Sequence, residues 1–455
     1  MNGSRREVVV TGMGAVSPFG VGVRSLWNGV SAGRSGIDWI RSLGDLDPEV
    51  YPVRYGGEVA GIDVDKLLTK RCEVRLEKSV QMGLVAAQEA LKTAGLVASL
   101  EGPMGFAQKR GQTPDPLWPE SGLALPVGGQ SPFLGKAGPM AERPVVAVIV
   151  GSGHGPCREA EEGYKAYFTR GPRAMRPTTV PKSMFNSLSS QLSIHFGLTG
   201  ANHVIASACS SGTAAIGLGL LFIRQGWADI VLCGGADAPF TPVTFGAWTS
   251  LRVMARHSVP AQASRPFDAD RNGLVLGEGA AMVVLESRAS AERRATQPLA
   301  RVLGYGTSSD AHHITAPSVA GQVAAMRACL ADAGLPPDRV DYINMHGTAT
   351  RANDECEATA VVEVFGERGE RMPASSTKSM LGHSLGASGA LEFAICVESL
   401  RQEFVPPTIN CDQPDPNVGL DYVPLVGRQH AVRIAMSNSF AFGGNNACIL
   451  VGSDA

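Results

Sequence analysis

Short, almost wholly apolar runs that alternate with helical patterns constrain the fold of this chain more than any other feature. Runs of this kind occupy Glu7–Thr11, Val145–Val150, His203–Ala206, Ile230–Leu232, Ala280–Leu285, Tyr342–Asn344, Ile434–Ser437 and Ala447–Val451. Strands that are apolar on both faces are buried on both faces. Helical spacing of apolar and small residues follows over Val80–Thr93 and Gln322–Ala333, and Gly334 is placed to end the second helix. The alternation predicts an α/β fold with crossover connections.

Two distant segments, residues 204–219 and 375–390, have the same character. Each places polar residues ahead of a helix made of small and apolar residues. A helix that is apolar on all sides is expected to be buried. Two such units predict a duplicated fold with a pseudo-twofold arrangement. Residues 100–144 differ, because they are rich in Gly and Pro and have no periodicity, so we expect a surface loop or a partly disordered insertion.

Composition excludes several classes of function. The 455 residues suggest two or three domain-sized units, and their formal net charge of -2 gives no basic excess for a nucleic-acid partner. No apolar run is long enough to span a membrane, and the N-terminus has no segment of signal-peptide type. Nine cysteines without paired spacing favour a reducing, cytoplasmic setting. Since metal-binding pairs of the CxxC or HxxxH type are absent, no metal site is expected.

One cysteine and two histidines stand in contexts that suit catalysis. Cys209 lies between a strand-like run and the first buried helix, where the positive helix end favours thiolate. His346 follows the Tyr342–Asn344 strand, and His383 lies in Gly-His-Ser-Leu-Gly. Glycine beside each histidine leaves its imidazole open to a ligand. A cysteine with two such histidines predicts a nucleophilic site.

These residues lie in motifs that resemble the β-ketoacyl-acyl carrier protein synthases, most closely the elongating type II enzymes. The motifs are Ala-Cys-Ser-Ser-Gly around Cys209, His-Gly-Thr-Ala-Thr from His346, Ser-Ser-Thr-Lys-Ser around Lys378, and Gly-His-Ser-Leu-Gly-Ala-Ser-Gly around His383. The resemblance covers almost the whole chain outside residues 100–144. It implies a thiolase-like fold of two duplicated α/β halves in αβαβα layers, divided at residues 1–290 and 291–455, and a homodimer.

The resemblance also implies a mechanism without a metal or organic cofactor. Cys209 attacks an acyl thioester and retains the acyl group, while the backbone N–H groups of Cys209 and Phe442 hold the oxyanion. A malonyl unit on an acyl carrier protein then loses carbon dioxide. The neutral imidazoles of His346 and His383 stabilise the enolate that results. Lys378 is a buried support near the histidines.

Further site residues are implied in the same way. Glu357 and Glu392 match positions that buttress the histidines, and Asp310 and His313 match a mobile gating loop. A basic cluster before the Val80–Thr93 helix and one residue near the entrance are expected to attract the acidic carrier protein; these residues are Lys70, Arg71, Arg75, Lys78 and Arg252.

Two residues depart from the family pattern near the expected acyl pocket. His154 stands where an apolar residue usually lines the pocket, and Ala441 replaces a glycine that precedes Phe442. An imidazole buried beside an alkyl chain without a hydrogen-bond partner would cost about 1–3 kcal/mol. His154 therefore predicts short acyl chains, or chains with a polar or unsaturated group. The alternative is that His154 turns into the dimer interface or bonds a backbone carbonyl.

Two alternatives stay open at this point. A non-catalytic partner subunit, such as a chain-length factor, shares the fold but lacks the nucleophile, so Cys209 argues against it. A thiolase or a coenzyme A-dependent starter synthase pairs its cysteine with a different set of residues, so the two histidines with Lys378 argue against that class. Acyl length, a fatty acid or a polyketide-type pathway, and a homodimer or a heterodimer with a ketosynthase-like subunit are left open.

Overall fold

The computed structural model describes residues 5–44, 47–68, 76–96, 144–417 and 419–454. Apart from its last residue, the predicted insertion at 100–144 lies outside the described residues.

The described strands are β1 (Val8–Ser17), β2 (Gly20–Val21), β3 (Asp38–Trp39), β4 (Tyr55–Gly56), β5 (Val146–Gly151), β6 (Asn202–Ile205), β7 (Ile230–Asp237), β8 (Gly279–Ser287), β9 (Ala300–Ser309), β10 (Tyr342–Asn344), β11 (Ala374–Ser375), β12 (Phe404–Val405), β13 (Arg428–Gln429), β14 (Ile434–Ala441) and β15 (Asn445–Gly452). The described α-helices are α1 (Val23–Ser31), α2 (Val64–Leu67), α3 (Lys78–Thr93), α4 (Cys157–Arg170), α5 (Thr179–Ser183), α6 (Ser187–Phe196), α7 (Ser211–Arg224), α8 (Pro242–Leu251), α9 (Arg288–Arg293), α10 (Val319–Ala333), α11 (Arg351–Phe365), α12 (Glu367–Arg371), α13 (Lys378–Leu381) and α14 (Ser388–Gln402).

Strand order shows that the fold is duplicated. The first half has the order β6-β5-β7-β8-β1, and the second has β11-β10-β14-β15-β9. When the strands of each half are counted along the chain, both orders read 3-2-4-5-1. Strand directions agree as well, with two parallel pairs followed by two antiparallel pairs in each half. The halves meet where β1 pairs with β9, with Val9 opposite Arg301.

Alternating side chains of the strands divide the core into separate layers. In β5, Val148 packs in the cluster that contains α3 and α6, whereas Ile149 packs in the cluster that contains α7 and α14. On the far side of the second half, α10 and α11 cover β10, β14 and β15. The helices α7 and α14 lie between the strands of the first half and those of the second half, and α14 is buried from Ser388 to Leu400. This arrangement confirms the predicted αβαβα layers and the burial of the two central helices.

Among the strands longer than two residues, two differ from the sequence expectation. β9 was not among the predicted runs, because buried residues alternate in it with half-exposed ones and it contains Gly304 and Gly306. Those glycines let α10 approach: a Cβ at Gly306 would lie 2.2 Å from the carbonyl oxygen of Ala325. β6 is at the edge of the sheet, and Asn202 and His203 are exposed, so this strand is not buried on both faces.

The junction between the halves contains the short helix α9, which connects β8 to β9. The boundary between residues 290 and 291 stays a prediction. Within the described ranges, no helix combines the length and the apolar character that crossing a membrane would require.

Candidate active site

Cys209 lies on a tight turn between β6 and α7. The turn is a single 3-10 segment, Ala208–Ser210, and Ala208 has a left-handed backbone with φ of 50°. Such a conformation costs a residue other than glycine about 1–3 kcal/mol, so other contacts must hold it. The hydroxyl of Ser211 supplies two of them, since it accepts from the N–H of Ser207 and donates to the carbonyl of Ala208. The turn places the thiol at the start of the buried helix.

The second half has a matching turn next to His383. Leu385 has φ of 52° and opens the 3-10 segment Leu385–Ala387, which leads into α14. Counted from the two left-handed residues, Gly386 is the counterpart of Cys209, and Gly389 is the counterpart of Gly212. The two helix starts are in close contact, because a Cβ at Gly212 would lie 2.7 Å from the carbonyl oxygen of Gly386. The duplication therefore brings the two turns together at one site.

Burial dominates the acidity of the Cys209 thiol. Loss of water raises its pKa to about 12, while the charge of Lys378 and the backbone N–H groups of Phe442 and Cys209 act in the opposite direction. The expectation that the helix start favours thiolate is wrong for this state of the protein, because the cost of burying the charge exceeds the stabilisation by Lys378 and the two N–H groups. The thiol is neutral at pH 7.

Two backbone donors face the sulfur of Cys209. The N–H of Cys209 comes from the first half, and the N–H of Phe442 comes from the turn that follows β14 in the second half. This turn uses a left-handed backbone at Gly443, with φ of 82°. Two N–H groups directed at one point can hold a negative oxygen. The structure thus brings together the two donors that the sequence predicted.

The rings of His346 and His383 lie side by side and are buried. Their centroids are 5.3 Å apart and their planes make an angle of 85°. Burial, followed by the charge of Lys378, lowers the pKa of each ring well below 6.5, so both are neutral at pH 7. The N–H of Leu385 donates to Nδ1 of His383 at 3.3 Å. Since Nδ1 accepts, neutral His383 carries its proton on Nε2.

Three buried charged side chains surround the histidines. Lys378 donates to the carboxylate of Glu392, and each is only 2% exposed. Glu357 accepts from the backbone N–H groups of His346 and Gly347, each at 2.8 Å, and so fixes the backbone that carries the imidazole. Burial raises the pKa of both carboxyl groups to about 7. None of these three side chains lies on a helix surface.

Two cavities meet at Cys209. One has a volume of about 340 Å³ and extends toward Gly153, His154, Ala208, Ala247 and Leu385. The other has a volume of about 270 Å³, and its lining includes His346, His383, Asp310, His313 and Ala441. Both are lined by Cys209, Trp248, Leu251 and Phe442. The thiol can therefore be reached from two sides, and the imidazoles lie on one of them.

The predicted gating residues line the cavity that contains the histidines. Asp310 accepts from the Asn446 side chain at 2.6 Å, and its N–H donates to the carbonyl of Gly444. His313 is exposed, and its Nδ1 accepts from the N–H of Thr315. Asp310 thereby ties the loop to the turn that carries Phe442. Movement of the loop stays a prediction.

His154 lines the cavity on the other side of Cys209, and it has a partner that the sequence did not reveal. The indole N–H of Trp248 donates to Nε2 of His154 at 3.2 Å. The imidazole is therefore paired, with an indole N–H and not with a backbone carbonyl, and the cost of an unpaired imidazole does not apply. Trp248 was missed because a lone tryptophan in a helix carries no pattern that points to a site.

Asp237 was also missed. It ends β7 and is fully buried, and burial raises its pKa although several donors oppose this. Its carboxylate accepts from the hydroxyl of Ser152 at 2.6 Å and from the N–H groups of Gly153 and Gly386, each at 2.7 Å. The side chain thus joins the loop that carries His154 to the turn after His383. A single acidic residue at a strand end gives no signal in one sequence.

The structure describes two of the five residues that were predicted to attract the carrier protein, and these two differ in exposure. Lys70, Arg71 and Arg75 lie outside the described residues. Lys78 is not a free surface cation, because it forms an ion pair with the buried carboxylate of Glu278. Arg252 is exposed at the end of α8, directly after Leu251, which lines both cavities.

Two like-folded halves and a buried thiol between two N–H donors and two imidazoles define a thiolase-like condensing fold. Solved structures agree. "The ishigamide ketosynthase/chain length factor" is similar over 99% of this chain and 100% of that one, with a TM-score of 0.84 and 32% identity. A chain of the solved complex "type II PKS acyl-carrier protein in complex with its ketosynthase bound to the hexaketide" is also similar. It has a TM-score of 0.82 and 27% identity, over 99% of this chain and 100% of that one.

Sequence comparisons identify the family. The beta-ketoacyl synthase N-terminal domain matches residues 5–106 and 134–291, and the C-terminal domain of the same family matches residues 299–412. 3-oxoacyl-[acyl-carrier-protein] synthase 2 of Coxiella burnetii is 36% identical over 98% of each chain. Nodulation protein E of Rhizobium meliloti is 38% identical, also over 98% of each. The chain belongs to the β-ketoacyl synthase family, and it is a condensing enzyme of the acyltransferase class.

Proposed function

We propose that this chain joins an acyl group held on Cys209 to a malonyl unit carried by an acyl carrier protein, with loss of carbon dioxide. The observation that carries the proposal is the meeting of two cavities at Cys209, of which one contains His346 and His383. One cavity can hold the acyl chain while the other admits the malonyl thioester. A non-catalytic partner subunit would not need a nucleophile between two cavities, of which one is lined by two imidazoles.

In the first step, the sulfur of Cys209 attacks the carbonyl carbon of an acyl thioester. The oxygen becomes negative and is held by the N–H groups of Cys209 and Phe442. The bond to the carrier sulfur then breaks, and the thiol proton of Cys209 ends on the departing carrier thiol. The thiol is neutral in the free protein. We therefore expect the attack to begin only when a thioester lies beside these N–H groups.

In the second step, the malonyl thioester loses carbon dioxide and leaves an enolate. Its oxygen needs donors, and neutral His383 offers the N–H at Nε2, with His346 beside it. The enolate carbon attacks the carbonyl of the Cys209 thioester, so a carbon–carbon bond forms and the carbon–sulfur bond breaks. The product is a β-ketoacyl thioester on the carrier protein, and Cys209 is released as a thiolate that regains a proton.

Four further features belong to the proposal. The exposed edge of β6 supports a homodimer, since an open sheet edge is a pairing surface, with a ketosynthase-like heterodimer partner as the alternative. The eight described cysteines are all free, which supports a cytoplasmic location. Residues 1–290 and 291–455 form the two halves. The pathway is chain elongation of the fatty acid or polyketide type, which is supported by relatives of both kinds that match 98–99% of the chain.

Wild-type protein tests the proposal directly. Incubation with an acyl carrier thioester should add the acyl mass to Cys209, and later addition of malonyl carrier protein should release carbon dioxide and form a β-ketoacyl product. Mass spectrometry of protein and carrier measures both steps. A chain that loads nothing and decarboxylates nothing would be a non-catalytic subunit. Efficient loading from coenzyme A thioesters alone would indicate a starter synthase.

Reversal of charge at Arg252 tests carrier docking. Arg252→Glu should lower kcat/KM for carrier-bound substrate several-fold and flatten its salt dependence, because rim charges act on association and are screened over about 10 Å at 0.1 M salt. A minimal thioester mimic should react at the wild-type rate. The matched control is Arg339→Glu, an exposed arginine that lines neither cavity. Equal losses with both substrates would place Arg252 in the site itself.

A further inference from the structure

We propose that Trp248 limits the length of the acyl group that Cys209 accepts, and that His154 holds its indole in the limiting position. This inference rests on the proposed function, because it assigns the acyl chain to the cavity that contains His154.

Trp248 lies where the two cavities join. It comes from α8, is 8% exposed and belongs to the same apolar cluster as Cys209. Its ring stacks on that of Phe442, with centroids 6.0 Å apart and an angle of 20° between planes. An acyl chain that leaves Cys209 on the side away from the histidines therefore meets the indole at the start of its path.

A hydrogen bond fixes the indole on its other side. The N–H of an indole can only donate, so Nε2 of His154 must accept, and the two rings are in edge contact at 6.0 Å. His154 is itself held, because its carbonyl accepts from the thiol of Cys157 at 3.1 Å and its N–H donates to Asp237 at 3.3 Å. Trp248 thus lies between Phe442 and an anchored imidazole and has little freedom to turn away.

The cavity beyond this junction has a volume of about 340 Å³, and part of its lining is small or aliphatic, at Gly153, Ala208, Ala247 and Leu385. The bulkiest side chains in the lining are Trp248, His154 and Phe442. Of these three, Trp248 and Phe442 lie at the junction with the second cavity, and Trp248 is the one that His154 holds by a hydrogen bond. Removal of the indole would extend the space for an acyl chain, whereas loss of the N–H alone would free the ring without removing it.

The experiment is an acyl-loading profile of Cys209, measured by mass spectrometry with saturated carrier thioesters from acetyl to palmitoyl. Wild type should prefer the short chains. Trp248→Ala should shift the ratio of long-chain to short-chain loading by at least about tenfold, since one methylene in an apolar pocket changes selectivity about 10–200-fold. Trp248→Phe and His154→Ile should shift the ratio in the same direction by less. Trp227→Ala, at an exposed tryptophan remote from both cavities, should leave it unchanged.

Each outcome decides the inference. An unchanged profile in folded Trp248→Ala would overturn it, and so would an unchanged profile in Trp248→Phe if the alanine variant does not fold. A shift in Trp248→Ala with none in His154→Ile would overturn the role of His154. Wild-type protein that loads no acyl group at all would overturn the proposed function together with the inference, whereas normal wild-type loading with unresponsive variants would overturn the inference alone.

Discussion

Cys209→Ala is expected to abolish both acyl loading and condensation. The side chain supplies the only bond that retains the acyl group in the proposed mechanism, and loss of a catalytic nucleophile costs a hydrolase about 10⁶-fold in rate. Stability should change little, because the substitution removes one sulfur atom beside two open cavities. Intact-protein mass spectrometry and thermal unfolding measure the two effects.

Two other cysteine variants make this result specific. Cys209→Gln places a carbonyl where the acyl thioester would be, so it should keep the decarboxylation of malonyl carrier protein although it cannot condense. Cys411→Ala is the matched control, since Cys411 is a buried free cysteine that lines neither cavity. This variant should load and condense normally. Condensation by Cys209→Ala, or acylation found on another cysteine, would show that the nucleophile has been assigned wrongly.

His346→Ala and His383→Ala should each lose decarboxylation by about 10²–10³-fold, the usual cost of one donor to a developing oxyanion. Self-acylation should be retained in part, because it depends on the thiol and on the N–H groups of Cys209 and Phe442. The two steps are measured separately, as carbon dioxide release and as acyl mass on the protein. His430→Ala, at a histidine that lines neither cavity, should preserve both.

The pH profile adds a second readout. Burial and Lys378 lower the pKa of both rings well below 6.5, so the rings stay neutral as pH falls from 8 to 6.5. The decarboxylation step should therefore not decline over this range through protonation of a histidine. Near wild-type decarboxylation by either alanine variant would contradict the paired role. Burial raises the pKa of Glu357 and Glu392 to about 7, so these carboxyl groups can titrate in the same range. A fall with a midpoint near 6.5 that persists in both Glu357→Gln and Glu392→Gln would contradict the neutral, buried state of the rings.

Local sequence patterns predicted the strands whose residues are uniformly buried and the helix that ends at a glycine cap. The fully buried β10 begins and ends as expected, and the Gly334 cap ends α10 with a left-handed backbone. β9 was not predicted, because its buried residues alternate with half-exposed ones and glycines interrupt it. Its place in the sheet follows from pairing with β15, which no local pattern contains.

The same distinction applies to the site. Cys209, His346, Lys378 and His383 lie in ordered motifs, so the sequence could indicate them together. Trp248 and Asp237 act through contacts with residues far away along the chain, such as His154 and Gly386, and contacts of this kind leave no local trace. The acidity of Cys209 was misjudged because a helix start is visible in sequence, whereas the depth of burial that outweighs it is not.

The close approach of α7 and α14 requires glycine at two positions, because only a hydrogen atom fits there in place of a side chain. A methyl group at Gly212 would lie 2.7 Å from the carbonyl oxygen of Gly386, and one at Gly389 would lie 2.0 Å from the hydroxyl of Thr213. Either methyl group would push the two halves apart, so we expect it to move the thiol away from the imidazoles. Neither glycine lines either of the two cavities at Cys209. The absence of a side-chain carbon at these two positions therefore keeps the thiol and the imidazoles close together, although neither position belongs to the lining of the site.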